Sequence, residues 1–113
     1  MTCIFCQIAN KTLSTPLIYE DEAVLAFQDI HPQAPLHVLI IPKKHIHSLH
    51  DSQPDDQFLL GKMLVTAKNI AIAHGYHENG YRLVMNTGSD GGQTVFHIHL
   101  HLLAGRSFNW PPG

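Results

Sequence analysis

Charge is scarce in this sequence. Aspartate, glutamate, lysine and arginine supply only 14% of its 113 residues, and the formal net charge is −2. There is no basic footprint for duplex nucleic acid, whereas a small nucleotide, whose phosphate needs only local donors, stays within reach. Long hydrophobic runs are missing: nothing approaches the roughly 20 apolar residues that cross a bilayer. The N-terminus lacks the basic-then-apolar pattern of a secretory signal. These absences predict a cytoplasmic protein. Cysteine is limited to Cys3 and Cys6, and in a compartment that keeps thiols reduced the pair is not expected to form a disulfide. Internal repeats, low-complexity tracts and linker-like stretches are also absent, so residues 1–113 are expected to form one domain. A chain this short, with 44% hydrophobic residues, builds a modest core, and association between copies would add burial.

What is present is a row of histidines. Phe96-His97-Ile98-His99-Leu100-His101-Leu102-Leu103 alternates imidazole with aliphatic side chains, the period of a β-strand. As a strand it turns Ile98, Leu100 and Leu102 to a core. His97, His99 and His101 then share the other face, with same-face neighbours roughly 6.5 Å apart. Three imidazoles in a row have poor hydrophobic value, but they can bind metal, move protons or attack an electrophile. Just upstream runs Asn86-Thr87-Gly88-Ser89-Asp90-Gly91-Gly92-Gln93-Thr94. Glycines here let backbone N–H groups approach a phosphate, with Asn, Ser and Thr as extra partners. The same residues also suit an ordinary hairpin loop. Feeding into a histidine row, the loop reads better as an anion cradle.

Elsewhere, Cys3-Ile4-Phe5-Cys6 opens a short helix through Ile8 and Ala9. A Cys-x-x-Cys pair suggests zinc or redox chemistry, or simply two small hydrophobes. The redox reading is weak, since no strand precedes the pair. A zinc site needs two further ligands, which the histidines can supply. Leu17–Glu20 and Ala23–Phe27 read as strands joined at Asp21-Glu22, and residues 29–35, with two prolines, as a loop. Leu36–Ile41 is an apolar strand ended by Pro42. Ser52-Gln53-Pro54-Asp55 is a plausible capping box. In the helix after it, Leu60, Met63, Leu64, Ala67, Ile70 and Ala71 share one stripe, expected to serve core and dimer interface, and Gly75 suits the stop. Tyr81–Asn86 is the strand before the glycine loop. About five strands, one short and one long helix, and hairpin-type links predict an α+β domain with an antiparallel sheet. His31, His47, His50, His74 and His77 read as exposed or loop residues with no assigned role.

The sequence resembles a known family, the histidine triad (HIT) proteins. His97-Ile98-His99-Leu100-His101-Leu102-Leu103 matches their signature at every position. Phe27-Gln28-Asp29-Ile30, Pro32-Gln33-Ala34-Pro35, Ile41-Pro42-Lys43-Lys44-His45, Ser89-Asp90-Gly91-Gly92-Gln93 and the final Trp110-Pro111-Pro112-Gly113 are similar to the purine nucleoside phosphoramidase branch, over nearly the whole chain.

The resemblance implies a HIT-like fold, a homodimer and hydrolysis of adenosine or guanosine phosphoramidates at the P–N bond. It implies catalytic roles for His99 as nucleophile, for His101 and His97 beside it, and for His37 in support, though His37 also reads as a core histidine. Phe5, Phe27, Asp29, Ile30, Asn86, Gly92, Gln93 and Thr94 would bind the nucleotide. Trp110 would shape the partner subunit's site, although the aromatic tail also reads as packing on its own subunit. Gln28 stands where relatives often have His, and Thr94 where they usually have Ser. The resemblance further implies a structural zinc held by Cys3, Cys6, His45 and His97, with no cofactor needed for catalysis. No nucleic acid or membrane partner is implied.

Three other readings of these residues stay open. In a strand-borne zinc hydrolase, two triad histidines would bind a catalytic metal. A nucleotide-binding or interaction module would lack catalysis altogether. Within the family, dinucleoside polyphosphate hydrolysis is the nearest alternative, disfavoured by the tail.

Overall fold

The computed structural model describes residues 3–113. Five strands, β1 (Tyr19–Glu20), β2 (Val24–Gln28), β3 (Leu36–Pro42), β4 (Tyr81–Val84) and β5 (Leu100–Ala104), form one sheet in the order β1-β2-β3-β5-β4. Every pairing is antiparallel. Helices α1 (Ile4–Ala9), α2 (Gln57–Ala73) and the single turn α3 (Gly88–Gly91) complete the α+β architecture, the fold class that the residue pattern predicts.

The sheet separates two apolar clusters, and the two-residue period of each strand decides which side chain joins which. Val24 and Ala26 of β2, Leu36, Val38 and Ile40 of β3, and Leu100, Leu102 and Ala104 of β5 face α2, where Met63, Ala67, Ile70 and Ala71 meet them. The intervening residues Leu25, Phe27, Leu39 and Ile41 face the other way, toward Phe5 and Ile8 of α1. Central strand β3 is buried along its whole length, which is why it reads, apart from His37, as a continuous apolar run rather than an alternating one.

Several boundaries depart from the sequence expectations. The histidine strand begins at Leu100, not Phe96: Val95, Phe96 and His97 bend, and the Ile98 N–H donates to the Ile46 carbonyl at 2.7 Å rather than to a sheet neighbour. The strand expected over Leu17–Glu20 keeps only its last two residues, and β4 stops at Val84 instead of Asn86. The start of the long helix is shifted by one residue. Asp56, not Asp55, closes the turn, its carboxylate accepting the Gln53 N–H at 2.8 Å and the Lys44 ammonium at 2.6 Å. Leu64 leaves the core stripe for the exposed side of α2, and Thr66 is buried in the stripe. Gly75, at φ +81°, ends α2 as expected, with its N–H on the Ile72 carbonyl and the Tyr76 N–H on the Ala71 carbonyl, the paired bonds of a Schellman turn.

Beyond β5, Gly105 sits at φ +98°, and a Cβ there would fall 2.7 Å from Pro35 Cβ and 3.1 Å from the Tyr76 hydroxyl. Gly105→Ala is therefore expected to destabilise the fold by about 2 kcal/mol, backbone strain adding to the clash, as read from the urea midpoint at unchanged m-value.

Candidate active site

Residues His99 and His101 emerge on the α1 side of the sheet, opposite the long helix. There they line a cavity of about 520 Å³ between α1, β2 and the segment leading into β5, well within the usual size of small-ligand sites. Its apolar lining includes Phe5, Ile8, Leu13, Phe27 and Leu39, and its polar lining Asp29, Asn86, Thr94 and the two histidines. Ile30 lies at the rim, largely exposed. Phe5 stands edge-on to Phe27 at 5.5 Å and to His99 at 5.2 Å between ring centroids, so an aromatic wall abuts the imidazole.

The hydrogen bonds fix which nitrogen of each ring carries the proton. Nδ1 of His99 lies 2.8 Å from the His97 carbonyl oxygen. A carbonyl only accepts, so Nδ1 is an N–H, and in the neutral ring the lone pair is on Nε2. His37 is set from the other side: the Gln33 N–H donates to its Nδ1 at 3.0 Å. The proton of neutral His37 is then on Nε2, which donates to His101 Nδ1 at 2.9 Å. His101 in turn carries its proton on Nε2. The cavity thus holds one imidazole with a free lone pair beside another with a free N–H, ring centroids 5.0 Å apart.

Burial keeps this relay neutral. It lowers the His37 pKa against the opposing pull of Asp29, whose carboxylate lies 3.5 Å away. Burial, reinforced by His99 and His37, brings His101 down to about 4. Asp29, His37 and His101 lie close enough to suggest a metal site, but the proton shared between the two imidazoles occupies the lone pairs that a metal would need. Hydrogen bonding is the better account of that trio.

The glycine-rich stretch is not an open loop. It winds into α3, closed by Gly92 at φ +84°, whose N–H reaches the Ser89 carbonyl at 3.1 Å. Asn86, Gly92 and Thr94 line the cavity. Gln93 does not. Its buried amide accepts the Gly88 N–H at 3.0 Å and donates to the His47 and Val95 carbonyls at 2.8 and 3.1 Å. Gln93 therefore positions the turn rather than facing a ligand.

His97 lies on the same side but is turned away from the cavity and fully buried. Its Nε2 donates to the Pro42 carbonyl at 2.8 Å, leaving the Nδ1 lone pair directed at Cys3 Sγ, 3.2 Å, Cys6 Sγ, 3.5 Å, and His45 Nδ1, 3.1 Å. Cys6 Sγ and His45 Nδ1 are 3.3 Å apart. Tetrahedral zinc with its usual bond lengths to sulfur and nitrogen spaces its ligand atoms roughly 3.3–3.8 Å apart, so the residues fit that metal. The carbonyl behind His97 is the outer partner that zinc-binding histidines commonly have. Without metal, burial and the neighbouring Cys3 thiol push the Cys6 thiol up to about 11.

Trp110 is 84% exposed and is not among the residues that line the cavity of its own chain. A larger cavity, about 700 Å³, lies where β4 meets the C-terminal segment. Its two arginines are already engaged. Arg82 and Arg106 lie over the Phe108 ring at 5.1 and 4.1 Å from its centroid, and they donate to the Asn109, Gln33 and Ser107 carbonyls. That region anchors the base of the tail. Sequence reasoning assigned no role in the histidine cavity to the wall from Ile4, Ile8, Leu13 and Thr15, to Leu39 and Val95, or to His31, whose N–H donates to Asp29; Gln28 lines it as well. The i, i+4 pair Ile4 and Ile8 beside Phe5 was the available signal for the wall.

The comparisons with known proteins agree with this geometry. A HIT domain profile matches residues 10–108. An uncharacterised HIT-like protein of Synechococcus elongatus is 51% identical over 110 residues, covering 97% of this chain and 96% of its own. The crystal structure of a HIT family hydrolase from Legionella pneumophila superposes with a TM-score of 0.97 at 54% identity, over 99% of this chain and all of that one. A histidine triad protein from Clostridium difficile gives 0.93 at 44% identity, over 96% and 95% of the two chains. Matched by the domain profile over most of its length, and by these relatives in sequence and in fold, the chain belongs to the HIT family.

Proposed function

We propose that this protein is a purine nucleoside phosphoramidase. The observation that carries the reading is the tautomer pair in the cavity: a lone pair on His99 Nε2 beside a donor N–H on His101. Neutral imidazole is a competent nucleophile toward phosphorus. His99 Nε2 attacks the α-phosphorus of a nucleoside phosphoramidate. The P–N bond breaks, its electron pair leaves on nitrogen, and the amine departs with a proton supplied by water. Water then attacks the nucleotidyl-histidine, the P–Nε2 bond breaks, and the nucleoside monophosphate leaves as a proton returns to solvent. The His101 N–H and the Thr94 hydroxyl are suited to stabilise charge on the phosphoryl oxygens, as preorganised donors do, while Gly92, its own N–H held by the Ser89 carbonyl, lets the backbone approach the ligand closely. Phe5, Phe27 and Ile30 suit the base and ribose, Asp29 the ribose hydroxyls, and Asn86 the phosphate side.

A strand-borne zinc hydrolase gains no support. Among the described residues no two triad histidines share a cluster of ligand atoms, because His97 groups with Cys3, Cys6 and His45 while His101 groups with Asp29 and His37.

A second copy of the chain fits the opposite layer. Helix α2 exposes Phe58, Val65 and Ile72 at seven-residue spacing, a second apolar stripe facing away from the core, and β4 is an edge strand. Together they suit a twofold interface that continues the sheet. In such a dimer the exposed Trp110 would have a partner site to complete.

His99→Ala should lower turnover of an adenosine phosphoramidate by about a thousandfold or more while AMP binding persists. Quenched wild-type enzyme should carry one AMP moiety on His99 by peptide mass. A wild type that binds AMP without turnover would leave a binding module instead. Val65→Glu should convert a dimer to a monomer in sedimentation velocity. Finally, unfolded His101 takes its proton near 6.5, but the folded residue does so only near 4. The fold then binds fewer protons across that window, and stability falls as the pH drops through it. His101→Gln should flatten the decline in urea melts between pH 7 and 4.5, and an unchanged slope would assign the decline to other groups.

A further inference from the structure

We infer that the Cys3/Cys6/His45/His97 site positions the nucleotide cavity, so that metal bound there sets both the aromatic wall and the orientation of His99. This rests on the nucleotide reading above and extends the metal's part from a structural one to control over the site.

Two physical links run from the cluster to the cavity. The first passes through the backbone of residue 97. Its ring is held between the Pro42 carbonyl and the two thiols, and its own carbonyl accepts the proton that fixes the His99 tautomer. Metal on Nδ1 would restrain that ring on one side while His99 leans on the same residue from the other.

The second link is α1. Six residues are too few for a helix to persist without tertiary support. Among the described residues, its side-chain polar contacts to the rest of the fold run through the cysteines at its start, Cys3 to His97 and Cys6 to His45 and His97. Between those two ligands sits Phe5, at 5.9 Å from the His97 ring and 5.2 Å from the His99 ring. Thiol hydrogen bonds are weak, and two metal bonds in their place would fix the start of α1, which otherwise rests on the packing of Phe5 and Ile8.

The test compares zinc-loaded protein, chelated protein, His45→Ala and His45→Cys. His45 is exposed and does not line the cavity, and cysteine in its place retains a fourth ligand. Long-range proton–nitrogen spectra report the His99 tautomer directly, without ligand or turnover, and AMP titration reports the wall. We expect a single Nδ1–H tautomer in the zinc-loaded protein and in His45→Cys. Chelated protein and His45→Ala should show mixed tautomers and about tenfold weaker AMP binding, in proportion to a small misplacement of the site. Unchanged tautomer and affinity after zinc loss would overturn the inference, as would failure to bind zinc. Global unfolding on chelation would also count against it, because the metal would then hold the fold rather than the cavity. Absence of AMP binding in the zinc-loaded protein would sink the nucleotide reading alone, and the tautomer comparison would still decide this one.

Discussion

The antiparallel pairing of β3 with β5 sets Leu39 opposite His101 and His37 opposite Leu103. His37 and His101 are thereby diagonal neighbours on one face, close enough for Nε2 to meet Nδ1 at 2.9 Å. The side-chain period is two, so a slip of β5 by one residue would send His101 into the α2 layer and bring Leu102 out, separating the two imidazoles. Such a slip is opposed from both sides, because β3 is buried along its length and Leu100, Leu102 and Ala104 fill the space beneath α2. The register that packs the core is the register that builds the relay.

From there, the protonation state of the site is a matter of which groups stand behind each ring. His37, His97, His99 and His101 each have one nitrogen committed to the backbone or to another ring. His99 is committed to the His97 carbonyl, His97 to the Pro42 carbonyl, and His37 to the Gln33 amide. Burial disfavours the charged form of His37, His97 and His101, so these rings keep distinct donor and acceptor ends. A row of three histidines thereby presents three different faces: a lone pair on His99, a donor N–H on His101, and on His97 a lone pair turned toward two thiols.

Much of this was legible in the residues. Alternation between Ile98 and Leu103 gave the face, β3 gave its buried run, and Gly75 the helix end. The first half of the triad was not readable as irregular, because its alternation continues through Phe96 and His97. What bends it is a long-range bond, from Ile98 to the Ile46 carbonyl, that no local pattern records. Gln93 was misread for a similar reason: an amide in a glycine-rich stretch looks available, and only the tertiary structure brings the His47 carbonyl to it. The exposed stripe Phe58, Val65 and Ile72 was hidden by its neighbour, since a helix apolar on two sides offers no single face to the eye. The tautomers depend on backbone carbonyls and amides, about which side-chain identity says nothing.

The sheet also works as a partition. Substitutions beneath α2 act on one packed layer and those around α1 on another, with the strands between them, and effects at well-separated sites without shared partners tend to add. Descendants of such a chain can drift in thermal tolerance through Met63 or Ile70 while inheriting the same chemistry. They can also exchange ligand preference through Leu13 or Thr15 without losing the scaffold. Durability and selectivity are, in this molecule, traits that selection can vary separately.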